Sequence, residues 1–185
     1  MQLEHFKNLT EALMSLPAVG KKSARNIALN MVTNDRSGAL RLSHAIEQAV
    51  ANVRICTRCG NLSEHELCAV CADDRRDRAK LCVVLSAKDI FTIEESGFYK
   101  GLYFVYASEE SFAPLEKMAQ DGISEVIFAF APSVQNDALI YFIEERLLPY
   151  GLNFSKIAQG VPTGVSLENV DMLSLARALE GRVKI

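Results

Sequence analysis

Four cysteines in two closely spaced pairs constrain this chain more than any other feature of its sequence. Cys56 and Cys59 form one Cys-x-x-Cys pair, and Cys68 and Cys71 form a second pair eight residues further on. A Cys-x-x-Cys turn places two thiolates on one side of a tight loop, and two such turns facing each other form the tetrahedral sulfur cage that Zn²⁺ accepts. Because four protein ligands leave no position for water, the pattern predicts a closed, structural zinc site, one per chain.

Two disulfides are the alternative for the same four cysteines. No secretory signal peptide is recognisable ahead of them, and disulfides are rare in a reducing cytosol. We therefore expect a cytoplasmic protein whose thiols are free to bind metal. His65 lies in the same loop, but the four sulfurs already complete the ligand set, so we expect this side chain to be solvated.

The charge of the chain is distributed unevenly along its length. The formal net charge is −3 and 49% of the residues are hydrophobic, as in an ordinary globular protein, and no apolar run is long enough to span a membrane. Residues 1–80 contain 12 Lys and Arg against nine Asp and Glu, whereas residues 81–185 contain eight against 14. A basic front half is compatible with a nucleic-acid contact there, and also with solvated surface charge that has no partner.

The N-terminal segment predicts two short helices around a tight turn. The first covers residues 9–16, with Thr10 as a candidate N-cap and Pro17 as its end. Gly20 lies in the turn that follows, where a positive φ would carry no penalty. The apolar positions at helical spacing are Leu9, Ala12, Leu13 and Leu16 in the first helix and Ala24, Ile27, Ala28, Met31 and Val32 in the second.

A helix-hairpin-helix of this kind would present backbone N–H groups and the positive end of the second helix dipole to a DNA phosphate. The candidate DNA-binding residues are therefore Gly20, Lys21, Lys22 and Arg25. Contacts of this type read charge and backbone shape, not base sequence. An ordinary helical corner with its lysines in water is the alternative, and Ala18 stands where such hairpins usually have glycine.

A polar linker and a third helix precede the cysteines, and a charged run follows them. Residues 33–38 contain no large apolar side chain and predict the linker. Residues 73–80 alternate in sign, which is typical of a solvated face and makes them a weak candidate for a DNA contact. The third helix is predicted to bury an apolar face formed by Leu42, Ala45, Ile46, Ala49, Val50 and Val53.

After residue 80 the pattern changes to alternating strands and helices. Residues 81–85 form a short continuous apolar run typical of a buried parallel strand, and Cys82 within it is expected to lie in the core. Alternating strands and helices predict βαβ units and a mainly parallel sheet. Further strands are predicted near 102–107, 124–130 and 154–158, and helices near 87–96, 111–120, 134–148 and 167–179.

A loop with two glycines, Gly160 and Gly164, follows the last predicted strand. Open α/β sheets bind ligands at this end of their strands. The loop contains neither GxxxxGK[ST] nor GxGxxG, so we predict no nucleotide site. Glu168 and Asp171 are a candidate acidic pair, and an acidic first helical turn that complements the helix dipole is the alternative.

Taken together, these motifs resemble those of RecR, a family of bacterial recombination mediators. The segment 16–24 resembles its LPGxGxKSA hairpin, the cysteine spacing matches its zinc finger, and residues 82–84 open a segment similar to its Toprim domain. Shorter likenesses occur at residues 35–38, 157–164, 167–171 and 178–182. The resemblance spans nearly the whole chain.

The resemblance implies an α+β chain of several parts. Its implied domains are a helix-hairpin-helix DNA-binding domain at 1–53, a four-cysteine zinc finger at 54–78, a Toprim-like α/β domain with a mainly parallel sheet at 79–165, and a C-terminal helix and tail at 166–185. It further implies a non-catalytic DNA-repair mediator that forms a homo-oligomer, a dimer or tetramer clamp, on DNA in the bacterial cytoplasm, associated with the nucleoid. Its implied partners are RecO and, in some bacteria, RecF, with which it helps to load RecA onto single-stranded DNA.

The chain departs from the family pattern in the Toprim part. Leu85 stands where the family usually has a carboxylate after the first strand, and Gln135 where it usually has Glu. A Toprim centre that cuts or joins DNA needs clustered carboxylates for Mg²⁺, so these residues argue against a Mg²⁺-dependent DNA enzyme. The family's insert resembling SPLxGIGP is also absent after Ala107, and the contact with RecO is expected to be remodelled. A protein-binding adaptor without DNA affinity stays open as an alternative.

Overall fold

The chain divides into two compact units, Met1–Val53 and Arg54–Ile185. The structure is a computed structural model, and it describes residues 3–158, 160–161 and 164–181. The first unit is helical, and the second contains the cysteine loop and a parallel sheet. This confirms the predicted α+β class. Among the described residues, no helix is both long and apolar enough to cross a bilayer.

The helical unit is built on close packing between its first two helices. These are α1, Glu4–Met14, and α2, Lys21–Thr33, and a third helix, α3, spans Arg36–Asn52. Ala24 and Ala28 are the fully buried residues of α2. The helices α1 and α2 are in contact, and small side chains at these two buried positions suit a close approach.

The first helix begins earlier than the sequence predicts. Thr10 does not cap it but lies inside α1, where its hydroxyl donates a 2.8 Å hydrogen bond to the carbonyl of Phe6. A threonine can satisfy its hydroxyl on the carbonyl four residues earlier without ending a helix, which is why its capping preference misled the prediction. Leu3 is the N-cap, and the helix ends at Met14, before Pro17.

The turn between α1 and α2 reverses the predicted roles of two residues. Gly20 has φ −80° and ψ 166°, an extended conformation open to any residue, and it is the N-cap of α2. The left-handed residue is instead Ala18, with φ 62°. A Cβ in this region clashes with the following carbonyl, so Ala18 holds the turn in a strained conformation.

The linker predicted at 33–38 is shorter in the structure. The helix α2 continues to Thr33, and α3 begins at Arg36. Asp35 makes this possible because its carboxylate accepts a 2.8 Å hydrogen bond from the N–H of Gly38 and so caps α3.

The apolar face of α3 is exposed, so the prediction that it is buried is wrong for the single chain. Leu42, Ile46 and Val50 are 46%, 55% and 79% exposed, and no residue of α3 is buried. Ala45, Ala49 and Val53 are exposed too. An apolar stripe at helical spacing indicates a face that avoids water, but it does not indicate which molecule covers that face.

The second unit is built on a four-stranded parallel sheet. Its strands are β3 (Asp77–Val84), β4 (Gly101–Val105), β5 (Glu125–Phe128) and β6 (Asn153–Lys156). They lie in the order β4-β3-β5-β6 across the sheet. All neighbouring strands are parallel, which confirms the prediction. The first strand of the sheet lies between the second and the third, so the order in which strands are added reverses between β3 and β5. Such sheets form a crevice at this point.

The strands β3 and β4 contribute alternate residues to two cores. Leu81 and Val83 point to one face, and Cys82 and Val84 point to the other. The first face is covered by two helices, α6, Phe112–Gln120, and α7, Val134–Leu147. The second face is covered by α5, Ala87–Ser96, and by the cysteine loop. In β4 and at residues 81–84 of β3 both faces are therefore buried, as continuous apolar strands require. In β6, Asn153 and Ser155 are exposed.

The remaining elements are short. In the cysteine loop they are β1, Arg54–Ile55, β2, Leu62–Ser63, and α4, Ala69–Ala72. Single 3₁₀ turns occur at Glu109–Ser111, Leu148–Tyr150 and Leu167–Asn169, and the last helix, α8, spans Met172–Glu180. It begins later than predicted because a 3₁₀ turn occupies the start of the predicted range and Asp171 caps the helix proper.

The charged run at 73–80 is only partly a solvated face. The strand β3 begins at Asp77, which pairs with Gly101, before the apolar run starts. Arg78 and Lys80 then form ion pairs with aspartates of the same run, at 2.7 Å and 3.3 Å. The amino end of a central strand can carry charge because it reaches the rim of the sheet, where side chains meet water.

Ala18→Gly is expected to stabilise the helical unit. Removing the Cβ relieves a left-handed penalty of about 1–2 kcal/mol, but glycine also raises the conformational entropy of the unfolded chain, which offsets part of this. We therefore expect the free energy of unfolding to rise by about 0.5–1 kcal/mol. Urea unfolding followed by far-UV circular dichroism measures it. Ala12→Gly, at an exposed helical position of α1, is the control and should cost about 1 kcal/mol. A loss of stability in Ala18→Gly would show that the turn is not strained.

Candidate metal centre and nucleic-acid interface

The four paired cysteines converge on one point. Their Sγ atoms all lie within 4.8 Å of one another, and each side chain is at most 3% exposed. The Sγ atoms of Cys59 and Cys68 are 3.5 Å apart. Tetrahedral zinc with bonds of about 2.3 Å to sulfur would separate its ligands by about 3.8 Å. The donor set and its spacing fit one zinc ion held by Cys56, Cys59, Cys68 and Cys71.

Backbone hydrogen bonds shape the two turns that carry these sulfurs. In the first turn, the N–H of Gly60 donates to the carbonyl of Cys56 at 3.1 Å, and the N–H of Cys56 donates to that of Asn61 at 2.7 Å. In the second, Cys68 is the N-cap of α4. Its N–H donates to the Sγ of Cys56 at 3.3 Å, which joins the two turns.

The electrostatics of the cluster favour a cation at its centre. The contact with Cys68 and burial hold the pKa of Cys59 far above its usual range, and the hydrogen bond from Cys59 lowers the pKa of Cys68. Neighbouring thiols share protons in this way because several thiolates repel one another when no positive charge lies between them. A bound dication removes that repulsion and holds all four sulfurs deprotonated.

The other two sequence candidates near the site lie outside the sulfur cluster. His65 is exposed and its N–H donates to the hydroxyl of Ser63. Cys82 is buried in the core, as predicted, and burial raises the pKa of its thiol to about 12, helped by the charge of Asp89. It therefore packs as an apolar side chain.

The cysteine loop is packed onto the sheet. Its four cysteines and Val70 form one core with Val84, Ile90, Tyr103 and Val105. The N–H of Val105, the last residue of β4, donates a 2.8 Å hydrogen bond to the carbonyl of Cys59. The loop thus takes a position that a helix would otherwise occupy in an α/β layer.

A half-buried ion pair next to the loop is not predicted by the sequence. Arg76 donates to both carboxylate oxygens of Glu94, and the hydroxyl of Tyr103 donates to the same carboxylate at 2.6 Å. The hydrogen bonds from Arg76 lower the pKa of Glu94. The three residues join the chain leaving the loop to α5 and β4. No spacing rule connects residues 76, 94 and 103, because only the fold brings them together.

The helical unit presents the predicted cationic residues at the start of α2. Lys21, Lys22 and Arg25 are all exposed, and none has an ion-pair partner among the described residues. The helix begins after its N-cap, Gly20, which has no side chain to cap it, and its first turn contains no acidic residue. Its first N–H groups and its dipole therefore face outward with nothing of the helix to neutralise them.

The crevice of the sheet contains no carboxylate at the two altered positions. Leu85 directly follows β3 and is 36% exposed, and Gln135 lies at the exposed start of α7, after β5. These strands are the pair between which the strand order reverses. A leucine and an amide stand here, and neither supplies the charge that holds Mg²⁺.

The second acidic candidate is partly explained by helix capping. The carboxylate of Asp171 accepts a 2.9 Å hydrogen bond from the N–H of Ser174 and caps α8. Glu168 lies in the preceding 3₁₀ turn. Of the glycine-containing loop, Gln159, Pro162 and Thr163 lie outside the described residues.

Comparison with known proteins identifies three matching families. The RecR helix-hairpin-helix matches residues 6–50, the RecR four-cysteine zinc finger domain residues 53–73 and the RecR C-terminal family residues 160–183. The chain is 56% identical to the recombination protein RecR of a Nitratiruptor species, over 100% of this chain and 98% of that protein. It is 46% identical to that of Campylobacter jejuni strain 81-176, over 99% and 98%, and 45% identical to that of a strain of Helicobacter pylori, over 98% and 96%.

Removing the metal is expected to loosen residues 54–80 and to lower the free energy of unfolding by several kcal/mol, because ligand binding in such sites is coupled to folding. Elemental analysis of protein purified under reducing conditions should give one zinc per chain. Chelation followed by urea unfolding measures the stability.

A pair of cysteine variants provides the control for this experiment. Cys71→Ser should lose zinc, whereas Cys82→Ala, in the same core, should keep one zinc per chain. Metal-free wild-type protein, or equal zinc loss in both variants, would contradict the assigned ligand set.

Proposed function

The chain belongs to the RecR family of recombination proteins, and on that premise we propose that it is a non-catalytic mediator of DNA repair that binds DNA through its helical unit. The observation that carries this proposal is the start of α2, where Gly20, Lys21, Lys22 and Arg25 lie at a helix terminus that has no side-chain cap. Outward N–H groups, the helix dipole and three exposed cations suit a phosphate. Such a contact binds any sequence, as a protein that acts on single-stranded DNA wherever repair is needed requires.

The substitutions in the sheet support a role without phosphodiester chemistry. A Toprim-type centre would place its metal at the crevice between β3 and β5, where this chain has Leu85 and Gln135. Leucine and glutamine at these positions supply no carboxylate to a two-metal or one-metal mechanism. The protein's contribution would then be binding and positioning.

The proposed partners are those of a recombination mediator. We propose that the chain acts in the cytoplasm with a RecO-like protein, and with a RecF-like one where the cell has it, to help load RecA onto single-stranded DNA. The crevice carries the uncharged Leu85 in place of an acid, which supports a contact with the RecO-like protein that depends less on charge. Its salt dependence would accordingly be weak.

A homo-oligomer is proposed because α3 exposes an apolar stripe. Leu42, Ile46 and Val50 lie at spacings of four residues on one helix face, and all are more than two-fifths exposed. A stripe of this size in water favours association, and a clamp of two or four chains would cover it.

Replacing Lys21 and Lys22 by alanine is expected to weaken DNA binding without changing sequence preference. Fluorescence anisotropy with a labelled oligonucleotide over a range of salt measures both affinity and salt dependence. Loss of two phosphate contacts should reduce the slope of log K against log salt by about 1.4 for single-stranded DNA. The matched control is Lys88→Ala with Lys100→Ala, two exposed lysines of the second unit without ion-pair partners among the described residues.

Three outcomes of the DNA-binding measurement are informative. Loss of affinity and slope in the hairpin variant alone supports the proposal. Equal affinity in wild type and hairpin variant rejects the hairpin as the contact. Absence of DNA binding by the wild type at every salt concentration would favour an adaptor that reaches DNA only through a partner protein.

Multi-angle light scattering of the wild type is expected to give a mass at least twice that of one chain. Val50→Glu places a charge in the apolar stripe and should shift the mass towards the monomer, because burying an unpaired carboxylate is costly. Gln48→Glu adds the same charge to the same helix without removing an apolar side chain, and should leave the mass unchanged. A monomeric wild type at high concentration would reject the oligomer.

A further inference from the structure

We infer that the edge strand β4 is a positioning element of the zinc site, so that zinc affinity and the order of this strand depend on each other. The residues that connect them are Gly60 in the loop and Val105 at the end of β4. Neither offers a ligand atom to the metal. Both act through the backbone of Cys59, whose Sγ is a ligand.

The first observation is the hydrogen bond between strand and ligand. The N–H of Val105 donates to the carbonyl of Cys59 at 2.8 Å, while the next amide, that of Tyr106, donates to Val84 inside the sheet at 2.8 Å. The end of β4 therefore binds the loop on one side and the central strand on the other. Movement of the strand end would carry the Cys59 backbone with it.

The second observation is the close approach at Gly60. Its φ is +78°, and a Cβ built there would lie 3.1 Å from the Cβ of Val105 and 3.4 Å from the carbonyl oxygen of Val105. The 3.1 Å contact is tighter than an ordinary van der Waals distance, and the Cβ of Val105 is held next to the backbone of the strand, whose carbonyl oxygen lies at the limit of ordinary contact. Glycine at position 60 therefore allows both the turn of the first cysteine pair and the packing of that turn against β4. We call this contact of Cys59 and Gly60 with Val105 the seat of the loop.

The third observation is the shared core. The sulfur-bearing side chains pack with Val84, Tyr103 and Val105 of the sheet and with Ile90 of α5. Loop and sheet thus exclude water from the same space. If the seat on β4 stabilises the loop geometry that binds zinc, thermodynamic reciprocity requires that zinc stabilises the seat by the same factor.

The affinity half of the inference is tested with Gly60→Ala. Cobalt(II), whose absorption bands report tetrahedral sulfur coordination, is bound first, and zinc affinity is then measured by competition. We expect Gly60→Ala to bind both ions about 10–100-fold more weakly, the range for residues that support metal ligands. The control is Gly151→Ala, where φ is +65° and a Cβ would meet nothing within 4 Å. It introduces the same backbone strain away from the loop and should bind both ions as the wild type does.

The dependence of strand order on zinc is tested by hydrogen exchange of the Val105 amide in the wild-type full chain. Chelation of zinc should speed this exchange at least tenfold, whereas the amide of Ile157, which donates to Phe128 between β6 and β5, should keep its rate. If Gly60→Ala fails to fold, Val105→Ala is the alternative variant for the metal-affinity measurement. It weakens the contact between the loop and β4 without adding an atom, and it should also lower cobalt affinity. Unchanged metal affinity in both seat variants, or unchanged Val105 exchange after zinc removal, would overturn the inference.

Discussion

The second unit depends on the packing of the cysteine loop against the parallel sheet. A parallel sheet must be covered on both faces, because its strands carry apolar side chains on both. Here α6 and α7 cover one face, and α5 and the loop cover the other at β3 and β4. A loop this short has little apolar surface of its own, so its shape has to be fixed by other means. Four sulfurs around one ion, a hydrogen bond from Val105 to Cys59 and a glycine at position 60 supply that constraint.

The two units of the chain are suited to different tasks. The helical unit presents exposed cations at an uncapped helix start and an apolar stripe on α3. The second unit contains the metal centre and a sheet whose crevice has Leu85 and Gln135 where acids would be needed for phosphodiester chemistry. The excess of acidic residues after position 80 also disfavours a DNA contact there, since phosphates are repelled by like charge. We therefore propose that the helical unit binds DNA and that the second unit provides structural support.

Much of this arrangement follows from the sequence, and the failures have physical causes. The cysteine spacing and the change to buried strands at Leu81 are local signals, and the structure confirms both. Thr10 lies inside α1 and does not cap it, because a hydroxyl can be satisfied inside a helix as well as at its start. The sequence predicts a positive φ at Gly20, but the residue with the positive φ is Ala18. The geometry of the turn decides which position is left-handed, and it does so against the preference of alanine. The contacts of Arg76 with Glu94 and of Gly60 with Val105 join distant residues, so they require the fold.

Hydrogen exchange of the full chain with and without a single-stranded oligonucleotide tests the division between the units most directly. We expect new protection at the turn and the start of α2, residues 15–25, and unchanged exchange at the crevice around Leu85 and residues 131–137. Protection at the crevice with none at the start of α2 would contradict this division, and would mean that the sheet binds DNA despite its lost carboxylates.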